Sequence, residues 1–192
     1  MSYSWLPAGR YVVDKHGRPV RQDTKSRAKP QVLQGWACHY GVEHTNYKTG
    51  LQEIFLPGCF TGSLTGLLLL RDHLLSEKAL ANQDDGDLEV HDCEAGLAIR
   101  AYPKGDALDR LEARTELSVG YHVIDSSVRS DGVRLIKKAV LIECSAVHVG
   151  AVRQTFLEIV DADDVGSLPT DSKNWASEGA SRGFLRALRK LQ

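Results

Sequence analysis

Three side chains of this 192-residue chain have the chemistry for moving a proton on and off a hydroxyl: His73, Ser118 and Glu143. A serine hydroxyl is a poor nucleophile until a neighbouring base takes its proton, and imidazole titrates close to neutral pH. A third group must then hold the ring in the right tautomer, a task suited to a carboxylate or a second histidine. The apolar run Leu67 to Leu70 ends at Arg71-Asp72-His73, where the end of a buried strand presents a side chain at the edge of solvent. Ser118 lies in Leu117-Ser-Val-Gly-Tyr121, whose glycine would let the backbone approach a ligand closely. Glu143 is a carboxylate inside the otherwise apolar Leu141-Ile-Glu-Cys-Ser-Ala-Val147, where an unpaired charge would be costly.

Each residue also has a plainer reading. A histidine after a strand is most often a hydrogen-bonded structural residue, and a serine in a strand is usually just small. Glu143 could simply pair with Lys137, Lys138 or an arginine. Spacing alone does not separate a salt bridge from a triad, so the fold must bring the three groups together. Other constellations are weaker. His39, His44, Cys38 and Cys59 lack zinc spacing, and neither a metal nor a cofactor is expected. Cys144 with His148 suggests a thiol nucleophile, but Cys-Ser-Ala-Val-His reads more simply as a buried strand with a small hydrophobe. Asp84, Asp85 and Asp87 surround Gly86 without the rest of a calcium loop.

The elements that must position these groups are mostly strands. Residues 1–30 read as a flexible arm, polar and rich in turn residues, in which Tyr11 to Val13 could add a short strand. Apolar patterning begins at Gln31, and the strand to Gly41 carries a bulge or close approach at Gly35. Glu43 to Gly50 reads as a polar loop, and Glu53 to Leu56 as a strand stopped by Pro57-Gly58. One or two helical turns are expected over Phe60 to Leu64, with Thr61 as a cap, before the strand Leu67 to Leu70. Leu88 to Asp92 and Gly96 to Tyr102 form a hairpin. Asp106 caps a helix from Ala107 to about Glu116. Leu117 to Val128 and Val133 to Val149 are longer strands joined at Ser130-Asp131-Gly132, and Thr155 to Val160 adds one more. An amphipathic helix over Ser172 to Leu191 closes the chain. Seven or eight strands with antiparallel connections read as a barrel or sandwich.

Composition narrows the function classes. Lys and Arg total 24 against 25 Asp and Glu, a net charge of -1 that gives no field to gather nucleic acid or an anionic bilayer. No apolar run approaches the roughly 20 residues needed to cross a membrane, and no secretory signal is visible. Four widely spaced cysteines without a CxxC pair suit reduced thiols in a cytosolic compartment.

Taken in order, Leu33-Gln-Gly-Trp-Ala, Glu53-Ile-Phe-Leu-Pro-Gly-Cys-Phe60, Leu70-Arg-Asp-His73, Gly96-Leu-Ala-Ile99, Leu117-Ser-Val-Gly-Tyr121 and Leu141-Ile-Glu-Cys-Ser-Ala-Val147 resemble a known family. It is the HK97-type prohead maturation proteases of tailed bacteriophages, themselves related in fold to herpesvirus assembly proteases. The resemblance covers about residues 31 to 155. It implies a β-rich α+β fold: an antiparallel β-barrel of about seven strands flanked by a few helices, with residues 31–161 as the protease domain and 162–192 as linker and C-terminal helix. By family pattern His73 is the general base, Ser118 the nucleophile and Glu143 the orienting acid. The herpesvirus relatives use a second histidine, so His148, His39 and His122 compete for that third place. The resemblance further implies self-cleavage, capsid and scaffold proteins as substrates, and a homodimer or higher oligomer. It places the protein in the host cytoplasm and inside the immature prohead. The family's Pro-Ala after the acidic strand is replaced here by His148-Val-Gly-Ala151, which leaves an inactive capsid-assembly domain of the same fold as the alternative.

Overall fold

In the computed structural model, which describes residues 11–13, 19–21 and 30–165, the β-rich α+β character of the sequence is present and the closed barrel is not. The chain divides into units of residues 1–30 and 31–192. In the first, β1 (Tyr11–Val13) and β2 (Pro19–Arg21) pair antiparallel. The amphipathic helix expected over 172–191 lies outside the described residues.

The described residues of the second unit form two sheets. One has the order β12-β3-β9-β8, from β3 (Gln31–His39), β8 (Leu88–Cys93), β9 (Gly96–Ala101) and β12 (Phe156–Asp161). The other runs β4-β5-β11-β6-β7, from β4 (Glu43–Thr45), β5 (Gln52–Phe55), β6 (Leu68–Arg71), β7 (Ala81–Asn82) and β11 (Arg134–Val147), while β10 (Glu116–Val128) also pairs with β11. A five-residue helix, α1 (Ala107–Leu111), and a 3-10 turn at Ala162–Asp164 complete the described chain.

The expected barrel fails at β11. This 14-residue strand pairs antiparallel with β10 along one side. On its other side it takes two short parallel partners, β5 at Arg134–Ile136 and β6 at Cys144–Ala146. The sheet therefore branches instead of closing, and the connections are not all antiparallel. No ladder joins the two sheets among the described residues; they share one core and are linked by isolated backbone hydrogen bonds, such as the Leu157 N–H donated at 2.7 Å to the O of Thr115, just before β10. Hydrophobic alternation shows which face of a strand is buried but not which neighbour its edge takes.

Local departures have local causes. Glu43 to Gly50 is not all loop, because β4 pairs with β5. Phe60 to Leu64 is a series of turns, with Thr61 N–H on Gly58 O and Ser63 N–H on Phe60 O, and Gly58 and Gly62 at positive φ interrupt any helix. Helix α1 stops at Glu112, which adopts the left-handed conformation, and Asp106 gives its carboxylate to Arg110 rather than to a backbone cap.

The core lies between the sheets and is built on Phe55, Phe60, Leu33, Leu97, Leu117 and Ile136, all fully buried. Both faces of β9 are buried, so its sequence runs apolar without strict alternation. Gly35 is a point of close approach, as its context suggested: a Cβ there would overlap the Phe156 carbonyl of the paired strand. The bulge in β3 falls two residues later, between Trp36 and Cys38. Because the obstructing atom is backbone, Gly35→Ala is expected to lower stability by about 1–3 kcal/mol, read as a shift in the urea midpoint at unchanged m-value.

Candidate active site

The parallel pairing of β6 with β11 sets the position of His73. Leu69, Leu70 and Arg71 lie beside Cys144, Ser145 and Ala146, and Asp72 N–H extends the ladder to Ala146 O at 3.0 Å. The chain then turns sharply, with Leu74 N–H bonded to Arg71 O at 2.9 Å and both central residues, Asp72 and His73, at positive φ. This turn swings the imidazole over β11. Its Nδ1 lies 2.6 Å from Glu143 Oε1, and the His73 N–H donates to Ser145 Oγ at 3.1 Å.

Glu143 is buried and both its oxygens are used, one by His73 and the other by the Ser145 hydroxyl. A carboxylate accepts, so Nδ1 is the donor in this contact, and in the neutral ring Nε2 then has the lone pair. That is the tautomer a general base needs. Ser145 was not singled out by sequence reasoning. Its signal was available, since it stands two residues after Glu143 and a strand places such residues on one face.

The antiparallel register of β10 on β11 brings in Ser118, directly opposite Ser145, with Gly120 opposite Glu143. Gly120 lines the cavity and has a second use that the sequence did not suggest. A Cβ at this position would fall on Glu143 Oε1, so the glycine makes room for the carboxylate. Ser118, His73 and Glu143 all line one cavity of about 220 Å³. No hydrogen bond joins Ser118 to His73 among the described residues, a contact that often tightens only when substrate binds.

The competing histidines fall elsewhere. A register shift between Gly120 and Tyr121 turns Tyr121 into the cavity and leaves His122 exposed opposite Val140. His148 is exposed beyond the end of β11. His39 stacks on Trp36 and bonds Gln154 O at 3.2 Å, and burial lowers its pKa. Cys144 is fully buried and burial pushes its thiol upward, while Cys59 is pushed up to about 12 by the same cause. All four cysteines are free, and a buried protonated thiol is neither nucleophilic nor reactive.

The far wall of the cavity stands on a second buried carboxylate. Glu53 accepts from the Tyr121 hydroxyl, from Asn46 Nδ2 at 3.1 Å and from Arg134 Nη1 at 3.2 Å. Asn46 also donates to the Tyr121 oxygen at 3.0 Å. Tyr121 packs edge-on against Phe55, so the wall is continuous with the core. Tyr47, Leu75 and Ile142 are exposed apolar side chains at the mouth.

A carboxylate-held imidazole and a serine opening on one cleft are the equipment of a serine hydrolase. Residues 19–166 match the model of the Caudovirus prohead serine protease family, and the chain belongs to that family. It is a serine endopeptidase of prohead maturation, and membership places its substrates among capsid and scaffold proteins. No curated protein matches the chain.

Two outcomes are expected here. Gly120→Ala should displace the Glu143 carboxylate and lower kcat by about 10- to 100-fold, with the urea midpoint showing whether the variant is folded. Iodoacetamide at pH 8 should leave activity intact, since Cys38, Cys59 and Cys144 are buried, whereas a fluorophosphonate should abolish it.

Proposed function

We propose that Ser118 is the nucleophile, His73 the general base and Glu143 the group that orients His73, in cleavage of capsid and scaffold proteins within the prohead. The 2.6 Å contact between His73 Nδ1 and Glu143 Oε1, on the cavity that Ser118 also lines, carries this reading. Ser118 Oγ attacks the scissile carbonyl while its proton passes to His73 Nε2. The imidazolium that forms is stabilised through Nδ1–H by the buried Glu143 carboxylate, in a setting where water screens little. Backbone amides facing the cavity receive the developing oxyanion. His73 then returns the proton to the leaving amine, and a water molecule activated by the same nitrogen releases the acyl group.

The open cleft with its apolar rim suits an extended polypeptide, including a segment of this chain, which is the basis for self-cleavage. A protease made beside its own substrates gains restraint from assembly, so activity as a homodimer or higher oligomer is proposed with it. In this reading the protein is made in the host cytoplasm and acts in the immature prohead. Charge is near balance, which offers no field to gather nucleic acid, and no described helix is long and apolar enough to cross a bilayer.

Expression with the cognate capsid and scaffold proteins tests the assignment. Ser118→Ala and His73→Ala should abolish processing, and Glu143→Gln should reduce its rate by about 10²- to 10⁴-fold. Unchanged processing in both of the first two variants would sink it.

A further inference from the structure

We propose that Arg114 is a positioning residue for His73, acting by clamping the turn that carries the imidazole. The inference rests on His73 being the general base. Asp72 and His73 have φ of 49° and 60°, two consecutive side-chain-bearing residues in a region that favours glycine. Such a pair persists only where its surroundings hold it. The side chain that does so is Arg114, which grips the Asp72 carboxylate with two prongs, Nε to Oδ1 at 3.2 Å and Nη2 to Oδ2 at 2.6 Å. This is the forked geometry that a guanidinium makes and an ammonium does not.

The clamp is braced from its own side in the same way. Arg114 follows a second left-handed pair, Glu112 and Ala113, with φ of 48° and 58° at the end of α1. Its Nη1 donates to Glu112 O at 3.1 Å and to Glu112 Oε2 at 3.0 Å. Arg71, on the His73 turn, reaches back to Glu112 Oε1 and also bonds Glu77 Oε1 at 2.7 Å. Each turn thus lends the other one cation and one carboxylate, and two strained segments 40 residues apart are locked together. Arg114 is nearly covered, with a tenth of its side chain exposed. Its hydrogen bonds hold the Asp72 carboxyl below its ordinary value, so the pair stays charged throughout neutral pH.

Arg114 touches neither the imidazole nor the cavity. Ser145 fixes the His73 backbone and Glu143 fixes the ring, but neither fixes the preceding residue. The backbone bonds from Asp72 N–H to Ala146 O and from Leu74 N–H to Arg71 O shape the turn, but without Arg114 no described side chain opposes relaxation of Asp72 to negative φ, which would carry the ring away from Glu143. A misplacement of about 1 Å is enough to cost on the order of 100-fold in rate.

The test is the rate at which a small fluorophosphonate labels Ser118 in the full chain. The probe forms an Oγ–P bond, fluoride leaves, and the serine proton goes to His73, so base positioning is read without peptide subsites. Arg114→Ala and Asp72→Ala should label about 10- to 100-fold more slowly than the parent, with Arg114→Lys between. Asp72→Gly also lacks the carboxylate but adopts positive φ freely, so it should label faster than Asp72→Ala. Thermal unfolding establishes which variants are folded. Folded Arg114→Ala and Asp72→Ala labelling within twofold of the parent would overturn the clamp. Should Arg114→Ala fail to fold, equal rates for Asp72→Ala and Asp72→Gly overturn it alone. Ser118→Ala labelling as fast as the parent would instead defeat the assignment of Ser118, a separable failure.

Discussion

Everything at this site depends on burying the Glu143 carboxyl group with a partner for each oxygen. Removing a carboxylate from water costs several kcal/mol unless its oxygens find donors. Here two donors and the space for the carboxylate come from three neighbouring strand segments. Ser145 sits on the same strand, two residues along and on the same face. His73 comes from the parallel neighbour β6, and Gly120 on the antiparallel neighbour β10 contributes an empty space. Shift either neighbour by one residue and a side chain points to the opposite face. The register of β11 with both partners is therefore selected by the same contacts that order the site, and the branching that prevents barrel closure is what puts two different edges against one carboxylate.

The same economy accounts for backbone strain at the site. A strand that simply continued past Arg71 would carry His73 along β11, and its ring would not cross to Glu143. Reversing direction within two residues requires left-handed conformations, and at those positions the chain has Asp and His rather than Gly. Glycine would relieve the strain but would surrender the carboxylate that Arg114 holds and the imidazole itself. Ion pairs with two-pronged geometry offset that cost where isolated surface pairs would not.

Much of this was legible in the sequence. The longer strands and the hairpin of β8 and β9 follow from alternation, and the need of Glu143 for a partner follows from the cost of burying charge, whereas the short β4 and β7 did not show. What escaped was information about pairing. Nothing in Leu67 to Leu70 says that its partner is parallel, so Ser145 could not be tied to His73. Nothing in Tyr121-His122 announces the register shift that reverses which of the two faces inward. The room that Gly120 leaves for Glu143 was not visible, because sequence shows a missing side chain without showing what fills its space. Arg114 and Glu112 looked like the last turn of a helix, and only the left-handed residues at its end separate them from it.

One buried glutamate lines the cavity and a second supports its far wall, and their partners suit only the first to the proposed chemistry. Glu53 is sealed by a tyrosine hydroxyl, an amide and a guanidinium, none of which changes charge near neutral pH. Its environment is fixed, and it holds the far wall. Glu143 relies for one oxygen on an imidazole whose side chain is 42% exposed while the carboxylate itself is 4% exposed. Protonating that ring at Nε2 adds a charge beside a carboxylate that is already in place and already dry. Little has to move when the proton arrives, so the stabilisation present in the resting protein is still greater once the imidazolium forms. A carboxylate with only permanent donors could not respond in this way, and one left in water would respond weakly.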